Sequence, residues 1–178
     1  RLTNYLLDLN QDDAVVLTNT DLGMIIDEAL NLNNKQAISK QIIIENKVTA
    51  QSILTNAGAL TEIISIIVNN AIKYTNEHGV VTIEVKRTPK EIEVSIQDTG
   101  VGMSKEAISH IFERFYTGSA GMNCTETGSL RNNTHTETDT VQCGAQIPQL
   151  QSVGIGLALS RTIISKQNGT IKAENHRQ

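Results

Sequence analysis

The sequence predicts an α+β protein, a two-layer sandwich in which helices cover a mixed, largely antiparallel sheet. A strong amphipathic helix is predicted at Leu60–Thr75, where apolar residues recur at i, i+3, i+4 and i+7. A β-hairpin of alternating apolar residues follows this helix, and a helix and a strand are predicted near the end of the chain. Of the 178 residues, 39% are apolar, which is enough for one core, and that core must be aliphatic because aromatic residues make up only 3%.

Upstream of the strongest helix, the pattern predicts two further helices and a strand. Residues 1–10 carry apolar side chains at helical spacing, and we expect them to lie inside a longer helix. A second helix is predicted at Asp21–Asn34, with Thr20 as its N-cap. The segment Gln41–Val48 is typical of a strand.

Downstream, the hairpin is the clearest element. Its two strands alternate Val81, Ile83 and Val85 before a turn near Pro89, and Ile92, Val94 and Ile96 after it. A short helix is predicted at Ser104–Phe112 with Ser104 as its cap. The last helix is predicted at Ile155–Gln167, ended by Asn168-Gly169, with a final strand at Thr170–Glu174.

A long stretch without periodicity separates the last two helices. Residues 118–142 are rich in Thr, Asn, Ser and Gly, and loops of this length are uncommon unless they are lids or disordered. We therefore predict a mobile lid at 117–153. Its two cysteines, Cys124 and Cys143, are too few for a disulfide framework or a tetrahedral zinc site, and we interpret them as thiols in a reducing cytoplasm.

The overall charge and hydropathy exclude two classes of partner. The net charge is -4 with both signs interspersed, which argues against a nucleic-acid-binding protein because such proteins present a basic face. The longest apolar run, Ile63–Val68, is interrupted by Ser65, whereas a membrane span needs roughly 18 apolar residues. We therefore expect this chain to contact neither nucleic acid nor membrane, and we expect no signal peptide at its start.

The end of the second hairpin strand carries a candidate ligand-binding carboxylate. Asp98 continues the face of Ile92, Val94 and Ile96, so it is expected at the edge of the core, where an unpaired charge needs a partner. Gly100 and Gly102 follow and allow a ligand to approach the backbone closely. The carboxylate could accept a hydrogen bond from an adenine amino group, although a simple strand-end turn capped by Asp98 explains the same residues.

Two further segments carry polar groups suited to a nucleotide. Asn70, Lys73 and Tyr74 share one side of the predicted helix. An amide oxygen suits Mg²⁺ and an ammonium suits phosphate, although a solvated polar face would look the same. The segment Gly154-Ile155-Gly156-Leu157-Ala158 opens the last helix, where free backbone N–H groups and the helix dipole favour an anion.

Together, four segments resemble the motif boxes of the sensor histidine kinase catalytic domain, which has the Bergerat ATP-binding fold. The resemblance lies in the N box Asn69–Thr75, the first glycine box Asp98–Met103, the F box Ile111–Tyr116 and the second glycine box Gly154–Ala158. They occur in the family's order, and the resemblance extends over roughly residues 21–174.

The resemblance implies a role for each matching residue. Asn70 would hold Mg²⁺ against the phosphates of ATP, Lys73 would contact phosphate and Tyr74 would line the nucleotide. Asp98 would bind the adenine amino group beside Gly100 and Gly102. Gly154 and Gly156 would be hinges of the lid, and Ile155 and Leu157 would lie in the phosphate-facing first turn of the last helix. Phe112 and Phe115 would anchor the base of the lid. Arg114 would contact phosphate or the partner helices.

The implied reaction is transfer of the γ-phosphoryl group of ATP to a histidine outside this chain. The four histidines here, at 78, 110, 135 and 176, lack the family's acceptor context. Residues 1–15 would be the tail of the dimerisation and phosphoacceptor hairpin of the parent protein, and 16–178 the catalytic domain. A response regulator would act downstream, and the parent would be a membrane-anchored sensor with this domain in the cytoplasm.

The sequence departs from the family pattern at three positions. Ile66 stands where many kinases have Asn and where hydrolytic relatives have a Glu base, which argues against an ATP-hydrolysing motor. Thr117 stands where many kinases have a basic residue, and Ser152 where the second glycine box often has another Gly. The alternatives left open are a weakly active ATP-binding regulatory module, a protein-serine kinase of the anti-sigma-factor type and a domain that binds no nucleotide.

Overall fold

The computed structural model describes residues 16–116 and 154–175. The predicted helix at 1–10, the predicted lid, both cysteines and Thr117 lie outside these residues. The described elements, in chain order, are β1 (Thr18–Asp21), α1 (Leu22–Ser39), β2 (Ile43–Asn46), β3 (Ser52–Thr55), α2 (Ala57–Tyr74), β4 (Val80–Arg87), β5 (Ile92–Asp98), α3 (Lys105–His110) and α4 (Gly156–Lys166).

The main sheet has the order β2-β4-β5 and is mixed, as predicted. Strand β2 runs parallel to β4 in the register Ile43↔Val80, and β5 pairs antiparallel to β4 from Val81↔Asp98 to Arg87↔Ile92. A second sheet, β1 paired with β3, was not predicted. Both strands have only four residues; β1 has no apolar side chain, and the two of β3, Ile53 and Leu54, are adjacent. Neither strand therefore carries a period-two pattern.

The core lies between the main sheet and the two long helices. The largest fully buried side chains include Leu22 and Ile26 of α1, Ile72 of α2 and Ile83 of β4. Burying such a side chain contributes roughly 1.5–3 kcal/mol. A second cluster joins α2 to α4 through Ala59, Ile63, Leu159 and Ile163. Helix α2 therefore packs against the main core on one side and against α4 on the other. None of the helices in the described ranges is long and apolar enough to cross a membrane.

Helix α1 differs from its prediction at both ends. Its N-cap is Asp21 rather than Thr20, since the Asp21 carboxylate accepts a hydrogen bond from Gly23 N at 2.9 Å while Thr20 pairs with Ile53 in the small sheet. The helix continues to Ser39, because its apolar stripe extends to the buried Ala37.

The predicted helix caps downstream are confirmed, but the predicted last strand is wrong. Ser104 Oγ accepts a hydrogen bond from Ala107 N at 3.0 Å. Helix α4 ends at Lys166 with Gln167 as its C-cap, and Asn168 follows with a φ of 59°. Residues 170–174 keep the apolar alternation, with Ile171 and Ala173 half-buried, yet they form no strand. The physical reason is that no backbone ladder joins them to β5 among the described residues. The side chain of Asn175 instead bonds the backbone of Met103, which lies beyond the end of β5.

Candidate active site

The last turn of α2 brings three predicted site residues to one end of the helix. Lys73 and Tyr74 are exposed and Asn70 is half-buried. The Lys73 ammonium lies 5.0 Å from the centre of the Tyr74 ring, within the range of a cation–π interaction. This end of α2 therefore presents an amide, an ammonium and an aromatic face together.

Two adjacent asparagines in this helix have different surroundings. The Asn69 amide donates hydrogen bonds to Asn33 Oδ1 at 3.0 Å and Gln36 Oε1 at 2.7 Å on α1. Asn33 in turn donates to Ser65 Oγ at 3.0 Å, so Asn69 belongs to a network that joins the two helices. Asn70 lies about 100° further round the helix, and within 16–116 and 154–175 no hydrogen bond to its side chain is found. Its amide is therefore available to a ligand.

Asp98 is not at a buried edge, contrary to the sequence expectation. Its side chain is exposed although Ile92, Val94 and Ile96 on the same strand face are half-buried. The reason is that Asp98 is the last residue of β5, where the packed face ends. One carboxylate oxygen, Oδ1, accepts a hydrogen bond from Gly100 N at 2.8 Å, which is the turn-forming role that the sequence left open.

Gly100 joins the loop after β5 to the end of α2. A Cβ atom at this position would lie 2.5 Å from the Tyr74 carbonyl oxygen and 2.6 Å from Asp98 Oδ1. No side chain fits there without displacing backbone, so glycine allows this close approach. The contact brings the Tyr74 carbonyl and the Asp98 carboxylate to one glycine.

The residues that flank the predicted lid on either side meet at Gly154. The Phe115 N–H donates a hydrogen bond to Gly154 O at 3.0 Å, and a Cβ on Gly154 would lie 2.7 Å from Tyr116 O. Gly154 has a φ of +67°, in the left-handed region that favours glycine. The F box and the second glycine box are therefore in backbone contact.

Helix α4 starts beside α2 at the position that departs from the family pattern. A Cβ on Gly156 would lie 3.1 Å from the Ile66 side chain, so Ile66 packs against the second glycine box. The N-cap of α4 is Ile155, which makes no side-chain capping bond, and half-buried Leu157 follows in the first turn. The first N–H groups of α4 therefore have no side-chain cap and suit an anion.

The F box is the part that the structure connects least to the other site residues. Arg114 is exposed, and in the described part of the chain no hydrogen bond or ion pair joins it to α2 or to the β5 loop. Phe112 is half-buried, with the Arg161 guanidinium 5.9 Å from its ring centre. Phe115 is 69% exposed and has a φ of 65°.

Sequence reasoning missed two residues that hold the site from outside the motifs. The Lys40 ammonium donates to the last carbonyls of α2, at 2.8 Å to Ile72 O and 2.9 Å to Lys73 O, and also to Thr75 O. Asn175 makes two hydrogen bonds to the backbone of Met103. Both partners are backbone groups distant in sequence, so no residue pattern could have indicated either contact.

Comparison with known proteins supports the motif resemblance. Residues 55–178 match the family described as histidine kinase-, DNA gyrase B- and HSP90-like ATPase. The "Uncharacterized sensor-like histidine kinase ycf26" of Pyropia yezoensis is 27% identical and aligns with 96% of this chain and 25% of its own length. The sensor histidine kinase ZraS of Escherichia coli (strain K12) is 23% identical over 97% of this chain and 31% of its own length. This chain thus spans about a quarter to a third of these relatives.

Solved structures show the same fold. The catalytic domain of histidine kinase ThkA superimposes with a TM-score of 0.66 at 21% identity, covering 90% of this chain and 88% of that domain. The Acinetobacter baumannii histidine kinase AdeS gives a TM-score of 0.67 at 18% identity, covering 98% of this chain and 68% of that one. These likenesses confirm the predicted α+β sandwich.

Proposed function

This chain belongs to the family of histidine kinase-, DNA gyrase B- and HSP90-like ATPases, and we propose that it is the ATP-binding catalytic domain of a two-component sensor histidine kinase. The observation that carries the proposal is the contact of Gly100 with Tyr74, where a Cβ would lie 2.5 Å from the Tyr74 carbonyl. This contact joins the N box to the first glycine box, so the groups suited to phosphate and to adenine would line one site.

Asp98 would bind the base. Its Oδ1 accepts the bond from Gly100 N at 2.8 Å, which fixes the carboxylate and leaves Oδ2 to accept from an adenine amino group. A fixed acceptor costs little further ordering when the ligand binds. Gly100 and Gly102 carry no side chain to obstruct the ring, and the exposed Tyr74 would line the nucleotide.

Asn70 and Lys73 would hold the phosphates. The described residues contain no cluster of three His, Cys, Asp or Glu side chains that could enclose a metal. Magnesium needs no such cluster, since it binds through one or two protein groups together with phosphate oxygens and water. The available Asn70 amide fits this requirement. When bound, the ion would neutralise charge on the phosphates, and the uncapped start of α4, with Gly156 and Leu157, would receive phosphate oxygens.

The reaction would be phosphoryl transfer rather than hydrolysis. The bond between the γ-phosphorus and the β,γ-bridging oxygen breaks, ADP leaves with the electron pair, and a histidine nitrogen forms the new bond to phosphorus and releases its proton. Ile66 packs against Gly156 and has no group that could activate water. Positioning and charge neutralisation would therefore supply the catalysis, with Arg114 acting on phosphate or on the partner helices.

The acceptor histidine would come from a dimerisation and phosphoacceptor hairpin of the parent protein, with residues 1–15 as its tail and 16–178 as the catalytic domain. A response regulator would take the phosphoryl group next. One related structure is histidine kinase ThkA in complex with response regulator protein TrrA, at 20% identity and a TM-score of 0.55 over 65% of this chain and 35% of that one. We further propose that the parent is anchored in a membrane with this domain in the cytoplasm.

Adjacent asparagines provide a matched test of the site. Asn70→Ala should abolish the magnesium-dependent part of ATP affinity, measured by calorimetry, and leave the melting temperature nearly unchanged. Asn69→Ala should lower the melting temperature and leave the magnesium dependence intact, because Asn69 bonds α1. Equal loss of affinity in both variants would contradict the assignment of Asn70.

A protein that joins this domain to its acceptor helices tests the reaction itself. The proposal expects acid-labile phosphohistidine to form from ATP. Binding of ATP without transfer would favour the regulatory module, and an acid-stable phosphoserine on a partner would favour the serine kinase.

A further inference from the structure

The side chain of Asn175 clamps the last residue of the first glycine box, the loop that follows β5. Asn175 Oδ1 accepts a hydrogen bond from Met103 N at 3.0 Å, and Asn175 Nδ2 donates to Met103 O. One amide thus satisfies both backbone polar groups of one residue 72 positions away. None of the four motif boxes contains Asn175.

The two ends of this loop are held by different groups. At the upstream end, Thr99 exchanges two hydrogen bonds with the backbone of Val80, at 3.0 and 3.1 Å, and Asp98 bonds Gly100. At the downstream end, Gly102 has a φ of +68° and no side chain. Among the described residues, Asn175 makes the hydrogen bonds that secure Met103, so it sets the path of the loop past Gly102.

We infer that Asn175 is a positioning residue for the nucleotide base, an inference that rests on the proposed ATP site. Gly102 has more backbone freedom than any other residue type would have at that position. Without the clamp, binding must first order the loop, and ordering opposes affinity. The clamp fixes the loop before the ligand arrives and so favours the base without touching it.

The position of Asn175 in the chain adds a connection between the two ends of the site. Asn175 lies a short distance beyond α4, whose first turn contains Gly156 and Leu157. The stretch 156–175 therefore begins at the proposed phosphate end and finishes on the proposed base end. A ligand that contacts both ends would bind a site already connected by this one segment.

The test separates the base end from the phosphate end with two probes. Magnesium ADP and inorganic tripolyphosphate are titrated against the native chain, Asn175→Ala and Asn175→Asp, at a temperature where melting curves show every variant folded. Asn175→Asp retains an acceptor for Met103 N but loses the donor to Met103 O. Both variants should bind ADP about fivefold more weakly, with tripolyphosphate affinity unchanged.

A matched control is Asn46→Ala. The Asn46 amide also accepts a backbone bond, from Val48 N at 3.1 Å, and donates to Asp27 Oδ1 at 3.0 Å. It lies on β2, with β4 between it and β5, so its loss should leave ADP affinity unchanged.

Three results would overturn the inference. Equal weakening of ADP and tripolyphosphate would make Asn175 a general structural residue. Unchanged ADP affinity in both Asn175 variants would show that the clamp does not position the base. Failure of the folded native chain to bind ADP would instead remove the proposed function, and the inference with it.

Discussion

The candidate site has a base end, formed by the loop after β5 and the end of α2, and a lid end, formed by the F box and Gly154. The two ends differ in how many contacts hold their described residues in place. At the base end, Gly100 lies against the Tyr74 carbonyl, Lys40 binds the last carbonyls of α2, and Asn175 clamps Met103. At the lid end, one described backbone hydrogen bond joins Phe115 to Gly154, and the neighbouring helix α3 has six residues, none of them buried. Among the described residues the base end therefore has more contacts than the lid end, and we expect the base end to be formed before a ligand binds.

The largest effect should come from a side chain at the centre of the base end. In Gly100→Ala the new Cβ would lie 2.5 Å from the Tyr74 carbonyl oxygen, so the loop and the helix end must separate. We expect ADP affinity, measured by calorimetry, to fall about a hundredfold, as expected when binding groups are misplaced by roughly 1 Å. Gly58→Ala is the control, because Gly58 is exposed in the first turn of α2. Native-like affinity in Gly100→Ala would refute a preformed base end.

A change at the lid end should affect transfer more than binding. Gly154→Ala places a Cβ 2.7 Å from Tyr116 O at a φ of +67°, which strains the junction between the F box and the second glycine box. In a protein that includes the acceptor helices, we expect the phosphorylation rate to fall about tenfold, with ADP affinity reduced about threefold or less. Larger loss of ADP affinity than of rate would remove the contrast between the two ends.

Loss of the Lys40 contacts should destabilise the C-terminal end of α2, which forms part of the base end. Lys40→Met removes an ammonium that binds carbonyls at the C-terminus of α2, where a cation also interacts favourably with the helix dipole. We expect the free energy of unfolding in urea to fall by about 1–3 kcal/mol and ADP affinity to fall severalfold. Lys40→Arg, which retains the charge, should recover part of the lost stability and part of the lost ADP affinity. Unchanged stability in Lys40→Met would contradict the role of this residue.

The smallest effect should come from a position outside the site. Gln41 has a φ of 54°, and a non-glycine residue in that region costs roughly 1–2 kcal/mol. Gln41→Gly should therefore raise the free energy of unfolding by up to about 1 kcal/mol, after the entropy of glycine in the unfolded chain is subtracted. Urea unfolding measures this change, and the affinity for ADP should stay the same. Destabilisation would contradict the assignment of backbone strain to Gln41.

The sequence predicted the elements whose pattern is long. Helix α2 and the β4–β5 hairpin each repeat their period several times, and both are present. Strands β1 and β3 were missed because each has only four residues, and neither alternates apolar with polar side chains. The predicted strand at Thr170–Glu174 failed for the opposite reason, since its alternation is real but a strand also needs a backbone partner.

The candidate site was predictable where it depends on local residue types. Glycines at 100 and 154 stand at positions that geometry restricts to glycine, and the order of the four motif boxes along the chain indicated the family. The exposure of Asp98 was not predictable, because the strand pattern does not say where the packed face ends. Lys40 and Asn175 bind backbone groups at least 32 residues away, and only the folded chain brings them together. The assignments of individual site residues stay predictions.

The central claim is that one site binds adenine through Asp98 and phosphate through the end of α2. Calorimetry of magnesium ADP binding by the native chain and by Asp98→Asn tests it most directly. The asparagine has one oxygen, which can still accept the bond from Gly100 N, and its amide would then face the adenine amino group with a donor. The account predicts saturable binding by the native chain and its loss in Asp98→Asn at an unchanged melting temperature. Equal binding by both chains, or none by the folded native chain, would contradict it.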